Sequence, residues 1–303
     1  MEFIVANSNF SSRDFVSDVI GREIGQVLRH TSAARLGRDP EGVHQLRVAS
    51  RRLRSELRLL HPMLQDQWFT MTEKDLAWLG RTLGGFRNSD VLIALLEEIA
   101  AADDDLDRAV IDRAVDDRRA HQHRIVARLS GERYVSLAVT LARAVIRPPL
   151  RRTFADPESV IVSQLRESWN ALRIAATEMI DSPADLHQIR ILSKRARYVT
   201  EVATPIIGDG AQPIVERFVA IQDSLGHQRD LAAVRRFVTE WYQSPRAVRG
   251  IDPADAREMW LASVDVAGRV NPDGWREPLA EAMVLIDDMN IDRLERTDIH
   301  QLP

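Results

Sequence analysis

The sequence contains no cysteine. Disulfides and thiolate metal sites are therefore excluded, and a reducing compartment is favoured. Long apolar runs are missing too: no stretch approaches 18 apolar residues, so no membrane span is expected. The opening MEFIVANSNF lacks a basic segment followed by a long apolar one, so no signal peptide is expected and the reading is cytoplasmic. No period-2 pattern bounded by turn residues marks a strand. Lysine is almost absent, since only Lys74 and Lys194 interrupt an otherwise all-arginine set of 41 basic residues. There is no glycine-rich phosphate loop, no G-x-S-x-G and no H-E-x-x-H.

An overall excess of positive charge is also lacking. The net charge is −4 and the pI is near 6.1. Proteins that coat nucleic acid are usually basic throughout. Here the positive charge is local, which favours a defined anion site. Arginine's planar fork suits bidentate contact with phosphate oxygens, although genome base composition alone can produce the same skew.

The stretch VHQLRVASRRLRSELRLL, Val43 to Leu60, has a counterpart in LHQIRILSKRARYVTEV, Leu186 to Val202. They agree at His44/His187, Gln45/Gln188, Arg47/Arg190, Arg51/Lys194, Arg52/Arg195 and Arg54/Arg197, each pair 143 positions apart. Wound as a helix, His44, Arg47, Arg51, Arg54 and Arg58 fall within an arc of roughly 80°. Leu46, Ala49, Leu53, Leu57, Leu60 and Leu64 occupy a separate arc. The second copy repeats the design with His187, Arg190, Lys194 and Arg197 beside Ile189, Leu192, Ala196, Val199 and Ala203. Arg52 and Arg195 project away from the stripes, and Arg58 is matched by Glu201. Asp39 and Ser182 suit the N-cap of each copy, with proline at the first helical position.

Helical periodicity covers nearly everything else. Helices are expected at about 12–35, 40–64, 70–83, 89–100, 106–129 and 135–145. A second series follows at about 160–180, 184–202, 213–225, 231–242, 254–270 and 277–289. Breaks are expected at Gly84-Gly85, at Pro205 and Gly208, and at Gly226, with the glycine after Leu83 and after Leu225 serving as a left-handed C-cap. Asn88, Asp90 and Asp230 then either cap the next helix or hold arginines. Leu83-Gly84 and Leu225-Gly226 stand 142 apart, as do Arg87 and Arg229, which are candidates to reach the anion site. The reading is all-α: a pseudo-two-fold helical bundle of two related halves. The domain spans 12–290, with half-repeats at about 12–147 and 158–290 and tails at 1–11 and 291–303.

These motifs, HQLRVASRRLR and HQIRILSKRARY with LGGFRNSD and LGHQRD, resemble the conserved-histidine α-helical domain, the CHAD family. The resemblance extends from about Ser12 to about Met289. It implies a bundle whose motif helices line a basic groove, binding of inorganic polyphosphate, and association with polyphosphate granules. Carried onto this chain, the implied ligands are His44, Arg47, Arg51, Arg52, Arg54, Arg58, Arg87, His187, Arg190, Lys194, Arg195, Arg197, Tyr198 and Arg229. Family members are often joined to a triphosphate-tunnel domain, and nothing here is strand-rich enough to be one. Where the family usually reads Arg-Asp, the first turn reads Arg87-Asn88, with Asp90 a candidate substitute.

Three functions are compatible with the residues. The first is non-enzymatic polyphosphate binding. The second is a phosphoanhydride-processing enzyme with His44 or His187 as acid, base or phosphoacceptor. The third is a nucleic-acid or acidic-protein adaptor, disfavoured because aromatics do not interleave the stripes. Two histidines among arginines make a poor cation site, so neither metal nor cofactor is expected.

Overall fold

A computed structural model describes residues 12–36, 40–100, 105–178, 182–243, 253–269, 271 and 273–289. Among these there is no strand, only an isolated antiparallel bridge between Leu64 and Leu150. Ten α-helices follow in order: α1 (Ser12–Leu36), α2 (Pro40–Leu59), α3 (Asp66–Ile99), α4 (Asp105–Ser130), α5 (Glu132–Ile146), α6 (Pro157–Glu178), α7 (Pro183–Ile207), α8 (Ala211–Tyr242), α9 (Pro253–Arg269) and α10 (Arg276–Met289). The expected terminal tails and Asp39 lie outside the described residues.

The first motif helix is α2 and the second is α7. Each is sandwiched in the same way, α2 between α1 and α3 and α7 between α6 and α8. The two triplets then meet, α2 against α7 and α3 against α8. Burial explains the placement: Leu46, Leu53 and Leu57 on α2 and Ala196 and Ala203 on α7 are fully buried. Burying a leucine side chain contributes about 1.5–3 kcal/mol, so this apolar arc fixes which way the cationic arc faces. Gly42 lets the first turn of α2 approach α1, since a Cβ there would sit 2.8 Å from the Ala33 Cβ. From α6, Trp169 Nε1 donates to Thr200 Oγ1 at 3.0 Å, and from α8, Gln222 Nε2 donates to Ser193 O at 3.3 Å. Both bonds lock α7 in rotation.

The Ser182 cap is present. Its hydroxyl accepts from Asp185 N while the Asp185 carboxylate accepts from Ser182 N, a reciprocal capping box. Gly208, at φ 73°, ends α7 in a conformation that side chains disfavour. Pro205 does not break α7, because it falls in the last turn. At the other motif, His61-Pro62 stops α2 at Leu59, and Leu60, Met63 and Leu64 stay buried through a short 3₁₀ turn.

The expected breaks at Gly84-Gly85 and Gly226 are absent. Both α3 and α8 run straight through, and positive φ among the described residues occurs only at Gly208 and Asn271. Each interior glycine costs about 1 kcal/mol relative to alanine. Leu83 and Phe86 beside the first pair, and Ile221 and Leu225 before Gly226, are buried in the core and outweigh that cost. Asn88, Asp90 and Asp230 are accordingly helix-interior residues, not caps. The continuous helices reach a second apolar cluster, where Leu95, Leu96 and Ile99 of α3 and Leu231, Val234 and Val238 of α8 pack with residues of α4 and α9.

Candidate anion site

The face where α2 meets α7 carries a concentration of positive charge with little counter-charge. Arg47 and Arg51 come from α2, Arg190 and Lys194 from α7, Arg87 from α3 and Arg229 from α8. Burial first, and then the charges of Arg51, Arg229, Arg87 and Arg190, lower the pKa of Arg47. Arg190 is lowered by burial and then by Arg229, with Asp230 opposing and Arg51 adding to the effect. Lys194 is brought down to about 7 by burial, then by Arg190, Arg51, Arg229 and Arg47. Cations that depress one another lie close together. Among the described residues, Arg47, Arg51, Arg87, Arg190 and Lys194 form no ion pair with a carboxylate, whereas Arg229 pairs with its neighbour Asp230 at 2.6 Å. The Nε atoms of Arg51 and Arg190 and Nδ1 of His44 are buried without a hydrogen-bond partner.

Other sequence-selected cations are already engaged. Glu73 on α3 accepts from Arg54 Nε at 2.8 Å and from Arg58 Nη2 at 2.5 Å. Burial alone would raise the Glu73 pKa, but these two arginines pull it below the ordinary value. Arg52 crosses from α2 to Glu201 on α7 at 2.7 Å, and Arg197 faces the same carboxylate at 3.6 Å. Arg195 points toward α6, reaching Glu167 at 2.8 Å and Gln164 at 3.2 Å. The position that breaks the match between the two motifs, Glu201 opposite Arg58, is thus the one that ties the two motif helices together.

Beside the cluster lies a cleft of about 590 Å³ between α2, α6 and α7, whose walls include Arg51, Arg54, Arg58, Lys194, Arg195 and Tyr198. Tyr198 is buried, with Arg197 4.8 Å and Arg51 5.9 Å over its ring. Such cation–π contacts hold guanidinium planes without neutralising them.

The two histidines differ. His44 is half-buried, and burial followed by the Arg87 charge lowers its pKa below the ordinary 6.5. It is neutral at physiological pH, so the arginines carry the charge there. His187 is exposed. Asp90 pairs with Arg118 on α4 and leaves Arg87 without the carboxylate that Asp230 gives Arg229. Asn88 therefore makes this side of the site more cationic than its counterpart.

Sequence reasoning missed the carboxylates around the site. Glu56 on α2 is only 6% exposed, lines the cleft, and has Oε2 buried without a partner. Burial, then the Glu23 charge, raises its pKa to about 8, against the opposing pull of Arg52 and Arg22. One signal was available: Glu56 is three after Leu53 and four before Leu60, at the edge of the apolar arc. Glu73 left no such signal, because only the packing of α3 on α2 brings it to the stripe.

Among the described residues no helix is long and apolar enough to cross a membrane, and no group of three or more His, Asp or Glu side chains could hold a metal ion.

Fold and site define a class: an all-helical protein in which two like-sequence helices present an uncompensated cationic cluster. Residues 18–239 match the family model of the CHAD domain, and the chain belongs to that family. Its fold is similar to the crystal structure of the CHAD domain from the plant Ricinus communis. That match has a TM-score of 0.74 at 24% identity and covers 92% of this chain and 95% of that one. It is also similar to PptA from Streptomyces chartreusis, with a TM-score of 0.64 at 19% identity, covering 91% and 98%. No curated protein matches in sequence.

Proposed function

We propose that this protein binds inorganic polyphosphate without processing it, through the cationic cluster shared by α2 and α7. It acts in the cytoplasm, in association with polyphosphate granules. The carrying observation is that Arg47, Arg51, Arg87, Arg190 and Lys194 crowd together with no ion-paired carboxylate. A cluster of this kind is incomplete without an anion. A linear polyanion with about one charge per phosphate suits cations drawn from three helices better than a single small anion does. Each charge-assisted arginine contact contributes about 1.5–3 kcal/mol. The two motif helices belong to two copies of one unit, residues 12–147 and 158–290, so that one bound chain is gripped from both sides. Domain membership and fold similarity support the reading, because the resemblance of the motifs implies this ligand.

Binding of long-chain polyphosphate by the double variant Arg51→Glu/Lys194→Glu tests it. Binding is expected to vanish while the helical circular dichroism persists. Normal binding by that variant would sink the proposal. Phosphate release assayed in the same samples, and lost in His44→Ala, would replace it with the enzymatic reading. Displacement of polyphosphate by RNA at equal charge would favour the adaptor reading.

A further inference from the structure

The cluster contains one cation able to give up its charge. Arginine stays protonated in proteins, whereas a crowded lysine does not. Position 194 is lysine where the matching position in the first motif is Arg51, and the chain has only one other lysine. The groups facing Lys194 are Arg190 on its own helix, Arg47 and Arg51 on α2, and Arg229 on α8. The cleft that Lys194 lines is also lined by Arg54, Arg58 and Glu56 of α2, Gln164 of α6, and Arg195 and Tyr198 of its own helix. The single carboxylate among them, Glu56, is itself held protonated up to about pH 8 and so supplies no counter-charge near neutrality. Arg54 and Arg58 are turned to Glu73, and Arg195 to Glu167.

We propose that Lys194 couples polyanion binding to proton uptake, so that the cluster gains its last positive charge only when the anion arrives. The step is a simple protonation: the neutral amine takes one proton from solvent as the phosphates enter, and releases it when they leave. This inference rests on the polyphosphate reading and specifies its regulation. In the empty site burial and four neighbouring guanidinium groups favour the amine, with a pKa near 7. Phosphate oxygens within the cluster reverse that preference and restore the ordinary range near 10.5. Between those limits the complex holds more protons than its separated parts, so affinity falls as pH rises, by up to about tenfold per pH unit. Arginine at 194 would bind without this dependence, which gives the lysine a role that a fully arginine stripe lacks.

The test is calorimetric titration of the full chain with long-chain inorganic polyphosphate at pH 8.5, in two buffers of different ionisation enthalpy. At that pH imidazoles are neutral and guanidinium groups charged on both sides of the reaction. The wild type is expected to take up about one proton per occupied site more than Lys194→Arg. Between pH 7.5 and 9.5 its affinity is expected to fall at least tenfold further than that of Lys194→Arg, in which Glu56 of the cleft still loses its proton. Lys194→Gln adds no bulk to the crowded site, and is expected to bind more weakly than Lys194→Arg with the same shallow pH dependence. Equal proton uptake by wild type and Lys194→Arg would overturn the inference and leave polyphosphate binding intact. Absence of binding by the wild type would overturn both.

Discussion

Glu56 stands where a leucine would suit the packing, and its carboxylate has consequences for stability. Glu23 of α1 and Glu201 of α7 surround it with like charge, while Arg52 and Arg22 attract it only in part. Its folded pKa of about 8 lies above the ordinary 4.5. Between those values the native protein holds a proton that the unfolded chain has lost. Stability therefore declines as pH rises from about 5 to 8 and levels off beyond, by at most about 5 kcal/mol in total. Glu56→Gln keeps the shape and removes the ionisation. Thermal melts from pH 5.5 to 8.5 should show the wild type losing several degrees more than the variant, and parallel curves would refute the assignment. Lys194 shifts stability in the opposite direction, since the unfolded chain binds the extra proton from about pH 7 upward, but its contribution is common to both proteins. The same scale shows why the histidine leading each motif says less than it promises. His44 is neutral where the arginines are charged, and His187 is exposed.

At the scale of the element, glycine content and helix continuity point in different directions. Gly84 and Gly226 have nothing within 4 Å of a would-be Cβ. Alanine at either position should stabilise the protein by about 0.5–1 kcal/mol, because it lowers the backbone entropy lost in a helix interior. Gly85 is different: a Cβ there would sit 2.5 Å from the His121 ring, whose Nδ1 lies 3.1 Å from Ser89 Oγ. Gly85→Ala should destabilise by about 1–3 kcal/mol through forced displacement of that ring. Chemical denaturation of the three variants gives opposite signs if α3 and α8 are continuous, and a loss in place of the gain at Gly84 or Gly226 if a left-handed turn exists at that position. Most of the helix order was legible in the sequence, because apolar periodicity at Val16, Ile20, Ile24 and Val27, or at Leu137, Leu141 and Ala144, is unambiguous. The false breaks came from reading glycine propensity locally, when buried Leu83, Phe86 and Leu225 decide the matter through tertiary contact.

For the whole molecule the central question is which of its many cations act on a distant anion. The repeated stripe was legible in the sequence, and so was the convergence of Arg87 and Arg229 on it. Most charge compensation fell outside the sequence, because Glu73 and Glu167 reach their arginines, and Glu201 reaches Arg52, only through packing of α3, α6 and α7, whereas the Arg197–Glu201 pair lies within one helix. Two populations result on an acidic body of net charge −4. Arg47, Arg51, Arg87 and Arg190 present uncompensated charge, joined by Lys194 when it is protonated, whereas Arg52, Arg54, Arg58, Arg195 and Arg197 are each tied to a carboxylate. A bound polyanion releases its own condensed counterions only where free positive charge replaces them, so the logarithm of affinity should fall linearly with the logarithm of salt concentration. Removing one uncompensated cation, as in Arg47→Gln or Arg190→Gln, is expected to lower the slope by somewhat less than one and to weaken binding of polyphosphate about tenfold or more at low salt. Removing a compensated one, as in Arg58→Gln or Arg195→Gln, is expected to leave the slope unchanged, because the exposed pair it breaks contributes little. Titrations across a tenfold range of sodium chloride separate the two sets. If Arg58→Gln reduces the slope as much as Arg47→Gln does, the anion is strong enough to take Arg58 from Glu73, and the bound chain extends from the α2–α7 cluster into the cleft toward α6.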